Sequence, residues 1–299
     1  MTAKLLQVIK TGDILGEGPV WNPRDQRLWW TDIQSRRLRQ LDPASGVITD
    51  LAMPERVGSF AFVAGQPQVL LAAFETGLGF FNLESGAVDW ITRSELGAGR
   101  RFNDGRTDRQ GRFWAGSMVE HEAIAGPASA ALWRVDAQGQ ACIAETGVQI
   151  SNGLAFSLDG RRMYFADSPH QQICAFDLDP DTGEISNRRG FAQVERGHPD
   201  GAAVDAEDCL WSARWGAGEV VRHAPDGREI EVVKVPAEMP TCVAFGGPNL
   251  SLMFVTSSSD ELTEAERLVQ PSAGDLFIYD CAVCGLPEVE FQPMAIQPH

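Results

Sequence analysis

The sequence predicts an all-β chain, folded as a single six-bladed β-propeller domain over residues 1–299. Three observations lead there. A two-run unit recurs six times: a short apolar run anchored on a glycine or its counterpart, then a second run that ends in small or polar residues. A third run that alternates apolar with polar residues follows, usually closed by a D-x-x-x-G or D-x-x-G turn. No segment carries a convincing 3.6-residue helical period.

In chain order, "EGPVW" leads to "RLWWTD", "VGSFAF" to "VLLAAF", "NDGRTD" to "RFWAGS", "NGLAFS" to "RMYFADS", "DGAAVD" to "CLWSAR" and "TCVAFG" to "LMFVTS". The anchors are positions 18, 58, 105, 153, 201 and 242, a period of 40 to 48 residues. Third runs such as "RLRQLD", "ALWRVD", "QICAFDLD" and "DLFIYD" complete units of three or four short strands, the content of a propeller blade. Six blades fill the chain without a second domain. The opening "KLLQVIK" is expected to add a strand to the blade begun by the C-terminal segment, closing the ring.

Composition narrows the function. With 25 basic and 41 acidic residues the net charge is −16, which repels phosphate backbones and anionic bilayers. No nucleic-acid partner and no membrane partner are expected. No run approaches the roughly 18 apolar residues of a membrane span, and "MTAKLLQVIKTGD" turns polar too soon for a signal peptide. A cytoplasmic location is the expectation. The oligomeric state is left open by the sequence, a monomer being compatible with it. The six cysteines are scattered, four of them in strand-like runs, and read as free thiols. Cys281 and Cys284 have zinc or redox spacing, but no second pair accompanies them. "DLDPDTGEISNR" imitates a calcium loop, yet its glycine comes one place late and Arg188 stands where a bidentate glutamate belongs, so it reads as a turn between outer strands.

The chemistry lies just before the anchors. Those positions hold Glu17, Val57, Asp104, Asn152, Asp200 and Thr241. The first strand of each blade lines the central channel, so equivalent positions converge, and four of the six carry carboxylate or amide oxygens. Carboxylates gathered in a narrow channel repel one another unless a cation sits among them. Hard oxygen donors suit Ca²⁺, Mg²⁺ or Mn²⁺, with Zn²⁺ or Fe²⁺ possible. His198, two residues before Asp200, reads as an exposed histidine.

The stretches "LGEGPVW", "RFNDGRTDRQGRFWAGSM", "SNGLAFSLDGRRMYFADS" and "HPDGAAVDAEDCLWSARW" closely resemble the SMP-30/gluconolactonase/regucalcin family, in order and spacing over essentially the whole chain. The resemblance implies a six-bladed propeller with one divalent metal in the channel, and for many members the hydrolysis of sugar lactones. It implies Glu17, Asn152 and Asp200 as metal ligands and Arg101 and Asn103 as substrate contacts, and it moves Asp104 out of the ligand set. Relatives carry an acidic substrate contact just after a "GTM" motif. Here "GSMVEHEA" offers Glu120, His121 and Glu122, and counting along the motif places His121 at that position.

The expected reaction is metal-assisted opening of an aldonolactone, such as gluconolactone, to its aldonic acid. Open coordination positions would polarise the lactone carbonyl, and Asp200 would accept a proton from the attacking water. Arg101 and Asn103 would orient the ring hydroxyls. A serine mechanism is disfavoured, because no G-x-S-x-G occurs and Ser117 has no motif-placed histidine. The alternative is a calcium-binding regulatory propeller of the regucalcin type with little catalysis, which needs the metal ligands but not Arg101 and Asn103.

Overall fold

The computed structural model describes residues 3–93 and 96–294. They form six four-stranded antiparallel sheets, the six blades of a propeller. The innermost strands are Gly16–Asn22, Val57–Val63, Arg100–Thr107, Ser151–Phe156, His198–Val204 and Pro240–Gly246. Each contacts the next around the ring, and the last contacts the first. Lys4–Ile9 pairs antiparallel with Leu276–Asp280, so the N-terminus supplies the outer strand of blade 6 as expected.

The apolar second runs are explained by what lies on their two faces. Alternate residues of a strand point to opposite sides of the sheet, and in a propeller both sides pack on a neighbouring blade. In blade 4, Met163 and Phe165 join the core shared with blade 3, whereas Tyr164 between them joins the core shared with blade 5. In blade 1, Trp29 faces blade 2 while Leu28 and Trp30 face blade 6. Six such clusters, one between each pair of neighbouring blades, form one continuous ring of packing among the described residues.

Two features fall outside the sequence expectation. Short helices occur at Glu122–Ala125 and Glu264–Val269. The second opens on a capping box, with Thr263 accepting from the Glu266 amide and the Glu266 carboxylate accepting from Thr263. Neither is long enough to establish a helical period. The C-terminal segment also crosses one end of the channel instead of joining a blade. Cys284 O accepts from the Ala206 amide, Phe291 exchanges backbone hydrogen bonds with Phe62 and Ala64, and Gln292 N donates to Gly111 O. Glu288 in this strap pairs with Arg106 of the blade 3 inner strand. Among the described residues no helix is long and apolar enough to cross a membrane.

Candidate functional site

All six inner strands carry a break in register against the second strand, each beside the residue that precedes the anchor. An extra residue at such a bulge bends the strand and re-aims a side chain. In blades 1 and 4 the bulge begins on a glycine, Gly18 at φ 54° and Gly153 at φ 66°, a left-handed conformation that a β-carbon would strain. The bulges turn Glu17, Asn152 and Asp200 toward the end of the channel opposite the strap. There they line a cavity of about 370 Å³, together with Arg101, Asn103 and Glu120. That volume suits a small ligand.

Glu17 and Asp200 are both buried, and their carboxyl groups lie beside each other. Each also accepts one amide, Gly18 N at 2.9 Å and Gly201 N at 3.0 Å. Among the described residues no lysine or arginine bonds to either. Burial above all, then neighbouring negative charge, raises both above the usual carboxylate range. Asn152 is oriented from behind: its Nδ2 donates to Ser168 Oγ at 2.8 Å, and that hydroxyl donates to Pro199 O at 2.7 Å. Its Oδ1 accepts from Asn103 Nδ2 at 3.0 Å. Two carboxylates and one amide oxygen form a hard donor set lacking a protein cation, which fits a divalent ion. Among the described residues no three His, Cys, Asp or Glu side chains converge as ligands, so an ion here would depend on the amide.

The opposite wall is held by arginines. Arg101 donates through Nη1 to Asn103 Oδ1 at 2.7 Å and through Nε to Glu120 Oε1 at 3.2 Å. Glu120 is clamped from the other side by both terminal nitrogens of Arg56, at 2.6 and 2.8 Å, and Arg56 also pairs with Glu75. Arg56 Nη1 reaches Gln34 Oε1 at 3.2 Å, and Gln34 Nε2 donates to Asp260 Oδ2 at 2.8 Å. Residues from blades 1, 2, 3 and 6 thus form one polar wall. Sequence reasoning did not single out Arg56, Gln34, Ser168 or Asp260, which belong to no repeated phase.

Two residues read from the sequence lie away from this cavity. His121 is solvent-exposed and outside the cavity lining, and Glu120 occupies the wall instead. The strand Phe113–Val119 ends just before them, and the amides of Glu120 and His121 both donate to Gly99 O. The chain turns there, which leaves His121 as the N-cap of the short helix. Asp104 also departs from the ring read off the anchors. In blade 5 pairing resumes at Ala202, two residues after Asp200, and in blade 3 it resumes at Gly105, two residues after Asn103. Asn103 and Asp200 each open the unpaired step of their bulge, whereas Asp104 closes its own and lies toward the strap. Its Oδ2 accepts from Leu154 N at 2.8 Å, and it lines a smaller cavity on the strap side.

The remaining motifs carry no site chemistry. Ser117 is fully buried and exchanges hydrogen bonds with the Ala131 backbone. Asp179 caps the turn between outer strands by accepting from the amides of Asp181 and Thr182. All six cysteines are free, with Cys281 buried and Cys284 exposed. His198 sits at the cavity rim with Nδ1 3.2 Å from Ser168 O.

Residues 15–259 match the family described as SMP-30/Gluconolactonase/LRE-like region. The chain belongs to that family. A 6-deoxy-6-sulfogluconolactonase from Pseudomonas putida is 36% identical over 97% of this chain and 99% of its own length. An L-arabinolactonase from Azospirillum brasilense is 36% identical over 94% of this chain and 93% of its own. The crystal structure of a calcium-binding protein, regucalcin, from Agrobacterium tumefaciens superimposes with a TM-score of 0.89 at 31% identity, covering 97% of each chain.

Proposed function

We propose that this family member is a lactonase that hydrolyses a sugar lactone to its aldonic acid with one divalent metal ion. The observation that carries the proposal is the pairing of two features in one cavity: the oxygen set Glu17, Asn152 and Asp200 without a protein cation, and the facing Arg101–Asn103–Glu120 wall. Glu17, Asn152 and Asp200 would hold the ion. When bound, it supplies Lewis-acid polarisation of a carbonyl oxygen.

The chain's own residues account for the remaining requirements. Asp200 is the group to accept the proton of the attacking water, since it lines the cavity and its carboxylate accepts only the neighbouring Gly201 amide from the described backbone. Arg101 spends Nε and Nη1 on protein partners and leaves Nη2 to the cavity, where it can donate to a ring hydroxyl. The Glu120 carboxylate accepts from such a hydroxyl while Arg56 fixes its orientation. Asn103 ties the two sides together, taking Arg101 on its oxygen and giving its amide hydrogens to Asn152 and Ser151. Holding the ester in a single orientation is what such a wall contributes to rate.

The calcium-binding name of the regucalcin neighbour favours a second reading, a calcium-holding propeller with little turnover. That role has no use for the Arg101 and Glu120 wall. The deciding experiment assays ion-stripped protein on gluconolactone, xylonolactone, galactonolactone and arabinolactone after resupply of each divalent ion, with spontaneous opening subtracted. Turnover should appear with one bound ion per chain and fall on chelation. At 100 times its dissociation constant the ion should stabilise the fold by about 2.7 kcal/mol. Full turnover in protein shown to be metal-free would overturn the metal assignment, and ion binding without turnover on any lactone would favour the second reading.

A further inference from the structure

We propose that the cavity selects lactones bearing no negative charge, a conclusion that rests on the lactonase reading above. The named lactonase relatives differ on this point: one is named for a sulfonated lactone and the other for a neutral pentose lactone. The charge balance of this chain's cavity distinguishes the two classes.

Five carboxylates line the cavity: Glu17, Glu120, Asp200, Asp260 and Glu261. Arg101 is the one arginine or lysine among the described lining residues. Its charge is already committed to Glu120. Arg56, outside the lining, is shared between Glu120 and Glu75, so these two arginines and two glutamates cancel. A divalent ion would likewise offset Glu17 and Asp200. Asp260 and Glu261 at the rim are then left over.

Among the described residues neither rim carboxylate forms an ion pair. Asp260 takes the Gln34 amide and the Glu261 backbone N–H, both neutral donors. Arg267, on the adjacent short helix, turns its guanidinium to Ser259 instead, donating to its hydroxyl and its carbonyl. A ligand entering this mouth therefore meets two carboxylates that no cation pairs directly, and a wall of paired donors and acceptors. Hydroxyl groups, which both donate and accept, match such a wall. A sulfonate, phosphate or carboxylate on the far end of the substrate would meet no arginine or lysine of the described lining except Arg101, which is already paired with Glu120, and would be repelled by the rim carboxylates.

The test compares kcat/KM for a neutral aldonolactone and for a lactone of the same ring with a sulfonate or carboxylate on its terminal carbon. The assays use low salt and saturating divalent ion. Wild type should prefer the neutral compound by about tenfold or more, and added salt should narrow the gap. The double variant Asp260→Asn with Glu261→Gln should narrow it at low salt. Equal or better use of the anionic lactone by wild type overturns the inference, as does a gap unchanged in the double variant. If neither compound turns over, the lactonase reading fails instead. Calorimetric binding of the two compounds then still decides the charge preference by the same ratio.

Discussion

Asp108 and Asp205 are as deeply buried as Glu17 and Asp200, but the company they keep is different. Asp205 accepts from Trp211 Nε1 at 2.8 Å, Arg222 Nε at 2.8 Å and the amides of Glu207 and Cys209. Asp108 repeats the arrangement two blades earlier, with Trp114, Arg112 and the amides of Gln110 and Arg112. Both sit in the hairpin between the first and second strands, six residues ahead of their tryptophan. These carboxylates are saturated, with a cation and three or more donors each. Glu17 and Asp200 have one backbone amide apiece and otherwise face each other. Burial of an acid is thus not what separates these two pairs in this propeller; completeness of neutralisation is. A complete set of partners fixes a fold, and an incomplete one leaves coordination for something from outside the chain.

The largest effect expected from this contrast is on stability. Asp205→Ala strands the Trp211 N–H in the core and leaves Arg222 only the exposed Glu207 as a counter-charge, and should cost about 3 kcal/mol in urea unfolding. The metal content of the protein that still folds should be unchanged. A cost under about 1 kcal/mol would erase the distinction between the two sets. Asp200→Asn should behave in the opposite way. Turnover should fall by about 10²-fold or more. The stability of the ion-free protein should hold or rise, because one of two like charges in contact has gone. Near-normal kcat with the ion bound would remove Asp200 as the base and move attention to Glu17. The smallest effect is expected at the wall: Arg101→Leu should raise KM by about tenfold with kcat and metal occupancy largely kept, if the hydroxyl contacts are equal in ground and transition states. Glu120 stays clamped by Arg56 in that variant, while Asn103 Oδ1 loses its donor but keeps its own amide bonds to Asn152 and Ser151. A collapse of kcat at constant KM would instead make Arg101 a transition-state residue.

The blade count and ring closure were legible because both depend on local alternation and a repeated phase. Glu17, Asn152 and Asp200 were legible for the same reason: equivalent positions of inner strands meet at one channel end by symmetry. Asp104 was misread by that same logic, since the bulge in blade 3 ends before its anchor glycine, whereas those in blades 1, 4 and 5 include it. Glu120 and His121 are neighbours in the chain, and nothing local decides between them. The choice is made by where the strand ends at Val119, by the turn held on Gly99 O, and by two arginines from other strands waiting for a carboxylate. Repetition along the chain determined the architecture and the oxygen ring. The wall that would hold a substrate, drawn from Gln34, Arg56, Arg101, Glu120 and Asp260, comes from unrelated points of the repeat, and only the closure of six blades into a ring brings those points together.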